Sequence, residues 1–171
     1  MKQIVLRLTI LFVLLVISTS CKVSYSLSDK GGIPADAKTI SVAVFSNNSA
    51  LGPPVLSQKF TERLRDMMVS QTSLSLTKSN GDLHFEGFIS DYIVSPVAIQ
   101  SGDQAALNRL TITIQVKYTN RFDNTKNFEQ SFSRFNDFPS SNSLSSVETQ
   151  LMDEINRQIC EDIFNKAFNN W

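Results

Sequence analysis

The side chains of this 171-residue sequence best suited to covalent chemistry are one histidine, His84, and two cysteines, Cys21 and Cys160. Serine catalysis built on His84 needs an exposed nucleophile, and no Gly-x-Ser-x-Gly elbow occurs. In LHFEGFIS the apolar residues alternate with His84 and Glu86, so the imidazole reads as a polar residue on the outer side of a strand. Pairing Cys160 with His84 would make a thiolate nucleophile. However, Cys160 stands among Ile159, Ile163 and Phe164 at helical spacing, the setting of a buried thiol. Asp153, Glu154, Glu161 and Asp162 fall on the polar side of the same helix as a solvated face. No His, Cys and carboxylate groups converge at metal-ligand spacing. Gly31, Gly32 and Gly81 are too isolated to cradle a phosphate. No catalytic residue, metal site or cofactor is expected, and the chain reads as a binding or structural protein.

Cys21 has a different context. Lys2 and Arg7 precede an apolar run, LTILFVLLVI, that stops at Ser18, Thr19 and Ser20 directly before the cysteine. A basic end, an apolar run and small residues make a secretory signal peptide. The run is about half of the ~20 residues that cross a bilayer as a helix. Small residues followed by Cys are similar to the lipobox of bacterial lipoproteins, in which the cysteine becomes the acylated first residue of the mature chain. The other reading is an incidental thiol beside an ordinary cleavage site.

A third group could bind rather than react. From Arg109 to Arg121 the residues Leu110, Ile112, Ile114, Val116 and Tyr118 point one way. Arg109, Thr111, Thr113, Gln115, Lys117, Thr119 and Arg121 point the other, a row with three cations and no acid. The row is either the wet face of a strand or a docking face for phosphate, sugar or the polar wall of a partner. At strand rise Arg109 and Lys117 stand about 27 Å apart and Lys117 and Arg121 about 13 Å, too far to grip one phosphate but suited to a track.

The elements that would hold these residues follow from periodicity. Residues 1–20 are the leader, 21–37 a polar Gly- and Pro-containing tether, and 38–171 one domain of ordinary size. In KTISVAVF, Ile40, Val42 and Val44 alternate with Thr39, Ser41 and Ala43 as a strand. Pro53 and Pro54 open a helix over about 54–70 with Leu56, Phe60, Leu64, Met67 and Met68 on its inner face. LSLTK is a short strand, and Asn80-Gly81 supplies a tight hairpin turn into the next, with Leu83, Phe85, Gly87 and Ile89 inward. After a connection, AIQSGDQAALN, come the strand of Leu110–Tyr118 and a further strand, NFEQSFSRF, with Phe128 and Phe132 on one side. Ser145 and Glu148 form a capping box for a final helix of about 24 residues, along which Val147, Leu151, Ile155, Ile159, Ile163, Ala167 and Trp171 recur. The order β-α-β-β-β-β-α predicts an α+β fold, with one mixed, mostly antiparallel sheet of about four to five strands carrying both helices on one face. The chain balances 16 basic against 16 acidic residues, so no global field invites nucleic acid. With Cys21 acylated, Cys160 has no disulfide partner.

The ordered segments CKVSYS, KTISVAVFSNNS, GDLHFEGFISDYIVSPVAIQ, NRLTITIQVKYTN, NFEQSFSRFNDF and SSVETQLMDEINRQICEDIFNKAFNNW together resemble the LptE family of outer-membrane lipopolysaccharide-assembly lipoproteins. The resemblance spans nearly all of the mature chain. It implies a palmitate-bearing lipoprotein on the periplasmic side of the outer membrane that plugs and helps assemble an LptD-like β-barrel translocon and binds lipopolysaccharide in transit. Of the family's functional residues it carries over Cys21 alone, as the lipid attachment site. Arg109, Lys117 and Arg121 rest on the strand pattern. The competing expectation is a lipoprotein that chaperones or pilots a different outer-membrane barrel. Lys22 and the absence of an acidic run after Cys21 place the domain on the periplasmic side.

Overall fold

A computed structural model of the chain describes residues 32–97 and 107–169. The leader, Cys21 and Trp171 lie outside the described residues, as does most of the connection before the long alternating strand. The elements are β1 (Thr39–Val42), β2 (Ser46–Asn47), α1 (Val55–Gln71), β3 (Ser75–Thr77), β4 (Leu83–Val97), β5 (Leu107–Asn120), β6 (Phe128–Pro139) and α2 (Leu144–Phe168). The expected α+β order is observed, with the two-residue β2 added. The strands form one mixed sheet in the order β3-β1-β4-β5-β6, and β2 joins β4 beyond β1. The long β4–β5–β6 ladders are antiparallel, whereas β1 runs parallel to both β3 and β4.

The register of β5 is the one its alternation predicts. Leu110, Ile112, Ile114, Val116 and Tyr118 are all buried, and a slip of one residue would put all five in water. Burying each large apolar side chain is worth about 1.5–3 kcal/mol before entropy is charged. From α1 the residues Leu56, Phe60, Leu64 and Met68 meet that face, and from α2 Leu151, Ile155, Ile159, Ile163 and Ala167. Cys160 is fully buried beside them, and desolvation pushes its thiol far up from its ordinary range.

The first strand departs from simple alternation. It ends at Val42, Val44 is 68% exposed, and Phe45 instead enters the core. The backbone polar groups freed by the break are taken by α1. Arg65 donates to the Val42 carbonyl (Nη2–O 2.7 Å), the Phe45 N–H donates to Thr61 Oγ1 (3.1 Å), and Ser57 donates to the Phe45 carbonyl. An interrupted strand is affordable because side chains replace its ladder. Gly87 completes the arrangement, since a Cβ there would lie 2.0 Å from the Gln115 carbonyl oxygen and 2.7 Å from the Phe45 ring.

Asn80-Gly81 does not make a hairpin. Asn80 has φ +55, but β3 and β4 lie on opposite sides of β1 and both run parallel to it. Residues 78–82 therefore cross over β1. They pass so close that a Cβ on Gly81 would sit 2.5 Å from the Ser41 nitrogen. The Gly81 N–H donates to Ser41 Oγ at 3.0 Å, so the crossing lies on the face away from the helices. The capping box is also absent. Ser143, not Ser145, is the N-cap residue and makes no side-chain cap bond. Glu148 instead accepts from the Tyr92 hydroxyl at 2.6 Å. A bulge between Ile89 and Asp91 is what turns Tyr92 inward.

β1 and β4 begin, and β5, α1 and α2 end, at one pole of the domain. Gly32 enters there, packed against the backbone of Phe168, and Ile33 and Ala37 lie against the core.

Candidate functional site

Because the helices cover one face, the outer side chains of β4, β5 and β6 make an open face of the sheet. The paired rows read Glu86–Lys117–Glu129, Phe88–Gln115–Ser131, Asp91–Thr113–Ser133, Ile93–Thr111–Phe135 and Ser95–Arg109–Asp137. The cations of β5 are there, yet neighbouring strands bring acids that the β5 sequence does not carry. Arg109 forms a two-point pair with Asp137 (Nε–Oδ1 2.7 Å, Nη2–Oδ2 2.9 Å), and its guanidinium lies 3.6 Å from the Phe135 ring centre. Lys117 Nζ is 2.8 Å from Glu86 Oε1. Each carboxyl is accordingly held below its usual range, Asp137 by the Arg109 hydrogen bonds and Glu86 by that of Lys117. Arg121 is not on the strand. It follows the end of β5, donates its N–H to the Asp82 carbonyl (3.0 Å), and has no carboxylate within ion-pair distance among the described residues. The structure therefore groups neither three cations nor a continuous cationic track. It gives two ion pairs in a hydroxyl- and amide-rich strip, with Arg121 beyond its end.

The sequence reading missed Ser41 and Glu86. Ser41 Oγ is 2.8 Å from His84 Nδ1, and His84 Nε2 is 3.8 Å from Glu86 Oε2. The residue types are those of a hydrolase triad, but Ser41 is fully buried beneath the 78–82 crossing and accepts from the Gly81 N–H. Its oxygen is shut off from any carbonyl carbon, and the hydroxyl anchors the crossing instead. No signal in a single sequence brings Ser41 and Gly81 together, because their contact depends on a crossing between parallel strands.

The solvated acids of α2 are ion-paired. Asp153 meets Lys59 of α1 (2.9 Å), Asp162 meets Arg134 of β6 (2.6 Å), and Arg157 bridges Glu154 (2.6 Å) and Glu161 (2.5 Å). The Arg157 hydrogen bonds draw Glu154 down to about 2. The Lys59 and Arg134 pairs tie α2 to α1 and to the sheet edge, the Arg157 pairs lie within α2, and the open face is left as the broad uncovered side of the domain. Among the described residues no group of three His, Cys, Asp or Glu side chains could hold a metal, and no helix is long and apolar enough to cross a membrane.

The sequence matches the family described as LptE, lipopolysaccharide-assembly, over residues 37–167, which is nearly all of the domain just described. The chain belongs to the LptE family. No curated protein matches it in sequence. Two solved structures share the fold at low identity. A homolog of neuraminyllactose-binding hemagglutinin from Helicobacter pylori is 8% identical with TM-score 0.52, covering 80% of this chain and 86% of that one. The hypothetical protein CT253 from Chlamydia trachomatis is 8% identical with TM-score 0.51, covering 77% and 98%. At such identities the likeness concerns the fold alone. The LptE family is one of assembly rather than catalysis, in keeping with the closed position of Ser41.

Proposed function

We propose that the mature protein begins at an acylated Cys21, stands on the periplasmic side of the outer membrane, and works without catalysis as the assembly partner and plug of an LptD-like β-barrel, binding lipopolysaccharide during its transport to the cell surface. The family match over residues 37–167 carries this reading. The geometry supports it. One face is sealed by two helices and the other is open and carries hydroxyl, amide and ion-paired side chains, which suits the polar lumen of an outer-membrane barrel. Lipopolysaccharide phosphates have Arg109, Lys117 and Arg121 as partners, the first two in competition with Asp137 and Glu86.

The test is affinity purification from detergent-solubilised outer membrane. Recovery of an LptD-like barrel is expected; recovery of a different barrel would make the protein a pilot for that partner. Mass spectrometry of the mature N-terminus should show acyl chains on Cys21, and an unmodified chain starting elsewhere would reject the anchor.

A further inference from the structure

The turn after β5 presents an aromatic ring to solvent on a rigid support. The buried side chain of Asn120 accepts from the N–H groups of Phe122 (2.9 Å) and Asp123 (3.1 Å), and the Asn120 N–H donates to Asn127 Oδ1 (2.7 Å). The Arg121 N–H is fixed on Asp82. Phe122 is nevertheless 49% exposed, although Phe128, Phe168 and Tyr118 stack together close by in the core. Cations lie on the segments that meet at this end. Exposed Arg121 precedes Phe122, the N–H groups of Arg121 and of exposed Lys38 both donate to Asp82, and Lys126 with exposed Lys166 lines a cavity of about 440 Å³ that includes Thr125 and Asn127 of the turn. Two acids of these segments are engaged within the fold, Asp82 by the Lys38 and Thr39 N–H groups and the Thr39 hydroxyl, and Asp123 by Thr125.

This is also the pole where the chain enters from Cys21. Gly32 follows Cys21 by eleven residue steps, and at 3.3–3.6 Å each these reach at most about 40 Å. Gly32 packs on Phe168, which stacks on Tyr118. From Tyr118 to Leu107, at the other end of β5, is a further ~37 Å along the strand. An anchor at Cys21 could bring that far end to a bilayer only with every linking residue fully extended, whereas the entry pole is within reach for any path.

We infer that this pole, with Phe122 at its tip and Arg121, Lys38 and Lys166 around it, is a membrane-contact surface that rests on an anionic phospholipid headgroup layer and sets the orientation of the domain. An aromatic side chain suits the interface, where an apolar ring and polar surroundings are both satisfied. Cations next to it are drawn to the negative surface potential. The contact rests on the proposed anchor at Cys21 but is measured without biological acylation.

The chain from Cys21 onward is coupled through that thiol to a maleimide lipid, Cys160 being buried and unreactive. With Trp171→Phe removing the native tryptophan, Phe122→Trp and, separately, Phe135→Trp on the open sheet face serve as reporters. On phosphatidylethanolamine vesicles containing phosphatidylglycerol with acyl chains brominated near the headgroup, Phe122→Trp emission should be strongly quenched and blue-shifted. Phe135→Trp emission should persist. Adding Arg121→Gln and Lys166→Gln, with folding checked by circular dichroism, should weaken vesicle binding of the unanchored Cys21→Ser protein roughly tenfold on anionic vesicles and hardly at all on neutral ones. Unquenched Phe122→Trp emission, or equal quenching at both reporters, would overturn the contact. Because the anchor is chemical, an unacylated native Cys21 would defeat the lipoprotein reading and leave this result standing.

Discussion

Asn156 lies in the middle of α2, one turn from Met152 and one from Cys160, and is 1% exposed. Neither its Oδ1 nor its Nδ2 has a hydrogen-bond partner among the described residues. A buried polar side chain left unpaired costs about 1–3 kcal/mol, and Asn is a poorer helix former than Leu by roughly half a kcal/mol. Leucine has the same branching as asparagine, so Asn156→Leu replaces two unpaired polar atoms with two methyl groups and risks overpacking of no more than about 1.5 kcal/mol. The net expectation is stabilisation by about 1–2 kcal/mol, or roughly 3–8 °C in Tm for a domain of this length. Urea unfolding of the leaderless Cys21→Ser protein, followed by far-ultraviolet circular dichroism, should give a higher midpoint at unchanged m-value. Asn156→Asp, which places a charge in the same site, should lower the midpoint sharply. A loss of 1 kcal/mol or more in Asn156→Leu would refute the reasoning, because it would mean that the amide is paired in solution, for instance by a buried water.

Gly87→Ala should destabilise by more than about 2 kcal/mol, since the new methyl meets the Gln115 carbonyl of β5, a strand held between β4 and β6; a midpoint shift under half of that would show that β4 gives way. Stability should fall as pH drops from about 4.5 toward 2. Glu154, Glu86, Asp137 and Asp82 all have folded-state values below their unfolded ones, so their contribution is complete above the unfolded range and disappears as each folded carboxylate is protonated; a flat midpoint across that window would contradict the ion pairs. Stability should also fall above about pH 9, because burial raises the Cys160 thiol and the unfolded chain ionises first. Joint replacement of Arg109, Lys117 and Arg121 by Gln should leave the protein folded and reduce both lipopolysaccharide binding and its salt dependence; unchanged, equally salt-sensitive binding would exclude these residues.

How much of this was legible in the sequence depended on whether a feature is local. The β5 alternation and the inner stripes of α1 and α2 are repeated over many residues, and the predicted sides match the observed ones at each apolar position on β5. The interrupted first strand was not legible, because Val44 and Phe45 are equally apolar and only Ser57, Thr61 and Arg65 of α1 decide which turns inward. Asn80-Gly81 carried a true local signal, a positive φ, but the partner of the following strand is set by where β1 lies. Likewise Glu148 has the spacing of a capping box and is claimed by Tyr92, which reaches it only through the bulge at Ile89 and Asp91. Electrostatics was the least legible part. Charge read along one strand overlooks its neighbours, and both cations within β5 are matched by acids across the ladder.

That matching bears on how the open face can work. An unpaired row of cations would bind anions strongly and with little discrimination, and would repel a barrel wall of the same sign. Arg109 held by Asp137 on the Phe135 ring, and Lys117 held by Glu86, instead present preorganised charges whose partners must be released or shared when a ligand arrives. Such pairs contribute little net affinity in water, since about as much is lost as gained on exchange. They do impose geometry: a ligand has to offer an acceptor where the carboxylate already sits, or a donor to the carboxylate itself. Between the two pairs the face offers Thr111, Thr113, Ser133, Ser131 and Gln115, groups that donate and accept alike, together with the carboxylate of Asp91. A surface of this composition suits a large polar partner held over many weak contacts, and the affinity then comes from keeping the domain close. An anchor at Cys21 would supply that proximity by raising the effective concentration of the domain at the membrane.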